Sequence, residues 1–267
     1  MRYLLFLATF FMSSFMPLMV AAETVPATSA GKSIANSSIT EPTSKHSFSS
    51  SAERVALVEL YTSEGCSSCP PADEWLSQLA SADTLWKNFV PVAFHVDYWD
   101  YIGWKDHYAS KDYSQRQRRY ASERGERTVY TPGVRLGGQE FRGWRRAHKL
   151  ERLKKGLNVG VLTLDINEDG SFVATFNSSD QAYSASKLNI ALLGMDIRTQ
   201  VERGENRGRE LIHDFIVLGF DSVKSDNNQF TGVLPKGVSH DSKQLAVAAW
   251  VDNGFSQTPI QAVGGFL

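Results

Sequence analysis

Val55-Ala-Leu-Val-Glu-Leu60 runs directly into Tyr61-Thr-Ser-Glu-Gly-Cys66-Ser-Ser-Cys69-Pro-Pro-Ala-Asp73, and this junction holds both cysteines of a 267-residue chain. The aliphatic, β-branched run predicts a buried strand. Pro70-Pro71 suits the opening of a helix whose apolar positions, Trp75, Leu76, Leu79 and Ala80, share one face. Cys69 precedes a proline and is biased away from helical angles, which places the pair just before the regular helix or on a kinked first turn. A strand that delivers Cys-x-x-Cys to a helix start is an arrangement for dithiol–disulfide chemistry, because the N-terminal amides stabilise a thiolate. Cys66 is the candidate nucleophile and the thiol expected to be exposed; Cys69 is the resolving thiol. Ser67 and Ser68 offer hydroxyls and amides to a thiolate. Glu64, beside Gly65, is expected to be solvated. The bland alternative is a static disulfide, though closing so short a loop contributes only about 2 kcal/mol in the chain-entropy picture.

Outward from this junction, Phe89-Val-Pro-Val-Ala-Phe-His-Val96 predicts a second strand and His107 to about Arg124 a second helix. Gly133–Leu136 and Gln139–Arg142 flank Gly137-Gly138, a hairpin signal. Trp144 to Lys155 predicts a closing helix that ends near Gly156. His95 and Asp97 alternate with apolar neighbours and are expected on one side of the second strand's end. There they serve proton handling for the resolving thiol, metal ligation with the thiols, or a hydrogen-bonded pair that holds the Tyr98-Trp99-Asp100 loop. Beyond Leu157 the texture changes to short alternating or apolar runs from Val159 to Val251, separated by turn clusters such as Asn167-Glu-Asp-Gly170. Their spacing predicts a compact antiparallel β domain of sandwich type. Glu205-Asn206-Arg207, between two such runs, reads as a turn or a domain interface.

Met1-Arg2 followed by an almost wholly apolar Tyr3–Val20 and small residues at Ala21-Ala22 predicts a signal peptide over 1–22. Residues 23–52 are rich in Ser, Thr, Ala and Pro without hydrophobic period, a composition expected of a disordered leader. Export implies a periplasmic or secreted protein in a compartment where disulfides persist. The formal net charge of -1 makes no case for nucleic acid as a partner. Positive charge is concentrated between Lys105 and Lys155, with 15 Lys and Arg against 6 Asp and Glu. That stretch surrounds the thiol face in sequence and reads first as a solvated helix face. No Ser/His/Asp order, Gly-rich phosphate loop or paired-carboxylate signature stands out, and no cofactor is implied.

The β-α-β-α-β-β-α order over residues 53–156 resembles the minimal thioredoxin layout. The fold expected is therefore an α/β thioredoxin-like domain over 53–156, followed by an antiparallel, sandwich-like β-rich domain over 157–267. Glu59–Asp73, His95-Val-Asp-Tyr-Trp-Asp-Tyr-Ile-Gly-Trp-Lys-Asp106, Arg116-Gln117 and Val129-Tyr-Thr-Pro132, with Gly204-Glu-Asn-Arg-Gly208 downstream, resemble an uncharacterised secreted bacterial family with a thioredoxin-like domain and a β-rich C-terminal part. After Thr131-Pro132 the chain departs from that family's pattern: Gly133 and Val-Arg-Leu-Gly-Gly stand where the pattern has a Gln and an apolar-Asn-Gly strand. The resemblance implies a cis bond at Pro132 and a Thr131 backbone that pairs with substrate chain beside the cysteines. The function expected is an exported thiol–disulfide oxidoreductase acting on protein or small-molecule thiols and recycled by a membrane or periplasmic redox partner. Two alternatives stand beside it: an envelope copper- or zinc-binding module built on the reduced thiols and His95, and a non-catalytic thioredoxin-fold adaptor.

Overall fold

The computed structural model describes residues 45–146, 150, 156–180, 182–225 and 227–267. The expected signal peptide, most of the expected leader and most of the expected helix at 144–155 lie outside these residues. The strands are β1 (His46–Ser49), β2 (Ala56–Thr62), β3 (Phe89–His95), β4 (Gly133–Leu136), β5 (Gln139–Glu140), β6 (Val161–Ile166), β7 (Ser171–Asn177), β8 (Lys187–Met195), β9 (Ile197–Gln200), β10 (Glu210–His213), β11 (Ile216–Lys224), β12 (Gln229–Val233), β13 (Gln244–Asp252) and β14 (Gln261–Phe266). The α-helices among the described residues are α1 (Pro70–Gln78) and α2 (Lys111–Glu123), and short 3-10 turns occupy Leu79–Ser81, Asp97–Ile102 and Arg142–Arg146.

An eight-stranded sheet has the order β14-β13-β8-β11-β3-β2-β4-β5. The β2–β3 and β3–β11 pairs are parallel; the others in this sheet are antiparallel. A second sheet of four antiparallel strands runs β1-β6-β7-β12, and β9 and β10 form a separate ribbon. In β13 the side chains alternate between two cores, as a strand covered on both faces requires. Ala246, Ala248 and Trp250 join a core with Leu57, Leu60, Trp75, Phe94 and Phe215. Val247, Ala249 and Val251 join Leu162, Leu164, Phe172, Phe176 and Phe230 of the four-stranded sheet.

This arrangement overturns the expected fold. The chain does not form an α/β thioredoxin-like domain followed by a separate sandwich-like domain; it is predominantly β, and the described residues make one compact unit. Strands from both sides of residue 156 share the large sheet, and one core runs across that boundary. Hydrophobic period reports an element's type but not the partner along its edge, and here β11 takes the edge of β3. Ala93 N donates to Phe215 O at 2.8 Å at the start of that pairing. Pro91, two residues earlier on the same side, falls before the ladder begins, where its missing N–H costs nothing. The leader is also shorter than expected, since β1 pairs with β6 from His46↔Ile166 to Ser49↔Thr163.

Candidate functional site

The parallel pair β2–β3 ends at Thr62 and His95, and the chain leaving β2 turns into α1 through the two cysteines. Cys66 N donates to Ser63 O at 3.1 Å, Cys69 N to Cys66 O at 3.1 Å, and Ala72 N to Cys69 O at 2.7 Å. Cys69 is the N-cap and takes right-handed helical angles, φ -78° and ψ -39°. The bias against helical angles before proline is thus overridden by the turn that leads into the helix. Both thiols are free. Against the expectation of an exposed nucleophile, Cys66 is 1% exposed and Cys69 fully buried, while Ser67 and Ser68 lie at the surface. Trp99 and Ile102 close on the backbone at Gly65 from one side, leaving 3.2–3.3 Å to where a Cβ would stand. From the other, Asn206 Nδ2 donates to Glu64 O and Cys66 O, and Glu205 Oε2 accepts from Ser67 N.

The thiols differ in proton affinity. The neighbouring Cys69 thiol draws Cys66 down most strongly; burial opposes this, and the Ser68 hydroxyl and amide and Thr131 add to it, with the outcome about 6. The Cys66 Sγ–Ser68 Oγ separation is 3.3 Å. Burial pushes Cys69 well up, and hydrogen bonding to Cys66 and the negative charge of Asp73 push it further. Thr131 precedes a cis bond to Pro132. Its hydroxyl accepts from Trp99 Nε1 at 2.7 Å, which ties the start of β4 to the 97–102 turn.

Behind the thiols lies a sealed group of ionisable side chains: Glu64, Asp73, His95, Asp106 and His213. His95 Nδ1 meets Asp106 Oδ2 at 2.7 Å, and Asp106 also accepts from Glu64 N at 2.9 Å and Tyr108 N at 3.0 Å. Burial pushes the His95 imidazolium down, but the Asp106 charge and hydrogen bond, with Asp73 and Glu64, outweigh it and hold His95 at about 9. The same contact holds Asp106 low despite burial. Glu64 Oε2 accepts from Trp104 Nε1 at 2.8 Å, and its Oε1 lies 3.4 Å from His213 Nε2. The two histidine rings stand nearly perpendicular, 4.9 Å between centroids. Burial raises the Asp73 carboxyl against the opposing charges of His213 and His95.

The structure gathers Cys66, Cys69, Ser67, Ser68 and Thr131-Pro132 around one turn. His95 and Asp97 do not act as a pair. His95 is occupied by Asp106, whereas Asp97 bonds the Ser114 hydroxyl of α2 through its side chain and its amide. Glu64, expected in solvent, is fully buried. No group of three or more His, Cys, Asp or Glu side chains among the described residues is arranged to hold a metal ion. Asp73, Asp106, His213 and Asn206 were not singled out from the sequence as site residues. Asp73, four residues after Cys69, was legible by helical spacing; Asn206 lies in the Gly204–Gly208 stretch noted in the sequence, but nothing local ties it, or His213 on β10, to the thiol turn. A cavity of about 730 Å³ lies at the opposite end of β2, beside Arg54, Ala56 and Lys87, away from this chemistry.

The family described as Protein of unknown function (DUF1223) matches residues 57–252. No curated protein matches the chain. Among solved structures, the chain is similar to protein AGR_C_4864 from Agrobacterium tumefaciens, with 27% identity, a TM-score of 0.57, and 80% of this chain and 95% of that one covered. It also aligns with HBP35 of Porphyromonas gingivalis at 15% identity and a TM-score of 0.49, over 82% of this chain and 76% of that one. The family match spans most of the chain, which therefore belongs to the DUF1223 family.

Proposed function

We propose that this member of the DUF1223 family is an exported thiol–disulfide oxidoreductase that exchanges disulfides with protein or small-molecule thiols through Cys66 and Cys69. The observation that carries the reading is the pair itself. Two free thiols share one turn at a helix start, and the Cys69 thiol, with Ser68 and Thr131, favours the thiolate of the first. With Cys66 held at about 6, it is largely ionised at neutral pH, whereas Cys69 keeps its proton. Cys66 is closed off at rest, so the turn has to open at the exposed Ser67-Ser68 before the Cys66 thiolate attacks a substrate disulfide, forming a mixed disulfide and expelling one substrate thiolate. Cys69 then loses its proton and attacks Cys66 Sγ; the second substrate thiolate leaves, and a Cys66–Cys69 disulfide remains. Two electrons pass to the substrate, and an external dithiol returns them. Asp73, buried one helical turn beyond Cys69 and close enough for its charge to raise that thiol, is the carboxylate we assign to take that proton.

The Met1–Ala22 stretch supports a periplasmic or secreted location, where such exchange operates.

Equilibration of the full chain in glutathione buffers, followed by intrinsic tryptophan fluorescence, tests the proposal. A reversible two-electron transition is expected, and a Cys69→Ser variant should accumulate mixed disulfides on Cys66. A chain that equilibrates with neither glutathione nor dithiothreitol leaves only a scaffold role.

A further inference from the structure

Asn206 lies 140 residues from Cys66 in sequence yet is completely buried against its turn. Its Nδ2 donates to Glu64 O at 2.8 Å and to Cys66 O at 3.0 Å, and its Oδ1 accepts from Arg209 Nη1 at 3.0 Å. Carbonyls only accept and a guanidinium only donates, so these partners fix the direction of the amide. One residue earlier, Glu205 Oε2 accepts from Ser67 N at 3.1 Å. The segment that carries both residues is itself braced. Arg207 N donates to Gly204 O at 3.3 Å and Gly208 N to Val201 O at 2.7 Å. Gly204, at φ +77°, has only 3.3 Å between the position of a Cβ and Trp104. The backbone on both sides of Cys66 is therefore tied to a hairpin outside its own helix.

We propose that Asn206 is a positioning residue of the thiol centre, holding the carbonyls that flank Cys66 so that its sulfur stays aligned with Ser68 and Thr131. The inference rests on the exchange reading above and adds to it the residue that sets the nucleophile's reactivity. Without the amide donor, the Glu64 carbonyl loses its partner and the Cys66 carbonyl keeps only Cys69 N, so both turn more readily toward water. The Ser67-Ser68 peptide turns with them, and the sulfur loses hydrogen bonds that favour its ionised form. The ionisable groups around the turn are Cys69 at the N-cap of α1 and Asp73 on α1, Glu64 before it, His95 and Asp106 behind it, Tyr98 on the 97–102 turn, His213 on β10, and Glu205 and Arg209 on the hairpin. Asn206→Ala leaves every one of them in place.

The test is the pH dependence of Cys66 alkylation by iodoacetamide in the full reduced chain, with the site assigned by peptide mass spectrometry and Tm recorded alongside. Asn206→Ala is expected to raise the midpoint by about one unit and to slow alkylation at pH 6 roughly fivefold. A purely structural role would lower Tm and leave the midpoint alone. Arg209→Ala, at an exposed position, frees the amide to rotate and is expected to move the midpoint the same way by a smaller step. An unmoved midpoint in folded Asn206→Ala overturns the proposal, as does an unmoved midpoint in Arg209→Ala should Asn206→Ala not fold. Failure of the wild type to exchange with glutathione would instead remove the exchange reading, and the alkylation midpoint distinguishes the two.

Discussion

At the scale of single residues, environment splits like groups apart. Cys66 and Cys69 share a turn, yet hydrogen bonds lower one and burial raises the other. The His95–Asp106 pair shows the same physics in a sealed site and has a pH signature. An unfolded histidine titrates near ~6.5 and the folded His95 at about 9, so folding favours the protonated ring. That contribution is complete below pH ~6.5 and is lost as pH rises through about 9. Asp106, held low by the same contact, contributes above the usual carboxylate range and loses its share in acid. The stability gap between wild type and His95→Gln, measured by urea denaturation, is expected to shrink by roughly 3 kcal/mol from pH 6 to pH 10. A gap independent of pH would show that the pair carries no charge. His95 stands out in the sequence at the end of β3, but its partner does not. Asp106 lies eleven residues on, beyond the reach of strand or helix spacing.

At the scale of elements, local chemistry decided most beginnings and ends. α2 starts at Lys111 because Ser110 caps it, accepting from Asp112 N at 3.2 Å with extended backbone angles. Ser110→Ala is expected to cost about 1 kcal/mol, read as a shift in the urea midpoint at unchanged slope. The β4–β5 hairpin turns through Gly137 and Gly138, both at positive φ, as its dipeptide predicts. Two continuous apolar runs of the sequence are each broken into two strands. Leu188–Val201 divides at Asp196 and Leu211–Phe220 at Asp214-Phe215, where Asp196 and Phe215 both adopt positive φ. These breaks create β9 and β10, the ribbon that reaches the thiol turn. β1 and β14 are faint in the sequence for a different reason. Four residues of His-Ser-Phe-Ser carry too little hydrophobic period, and Gly264-Gly265 in β14 reads as a loop.

At the scale of the whole molecule, the large sheet makes residues 53–156 dependent on the C-terminal strands. Glu59 on β2 and Arg116 on α2 form a buried pair, with Nη2 and Nε both bonded to Oε1 at 2.7 and 3.0 Å. The guanidinium also reaches Gln257, beyond β13, and lies over the rings of Phe220 and Trp250 on β11 and β13. Removing those strands would leave that charge without half its surroundings and expose the edge of β3. A fragment of residues 53–156 is therefore expected to show no cooperative thermal transition by circular dichroism, and the full chain a single one. Independent, reversible folding of the fragment would contradict the fused sheet.

By itself the sequence determined the strand–turn–helix that presents Cys66 and Cys69, the serines between them and the turn chemistry of α2 and the β4–β5 hairpin, because each depends on residues within a few positions of one another. Tertiary structure alone decided which strand completes β3, that both halves of the chain build one sheet, and that Asn206 and His213 reach the thiol turn. Pairing along a sheet edge and burial of a polar group are settled by surfaces that meet only after the chain has folded, and no local pattern encodes which surface that will be.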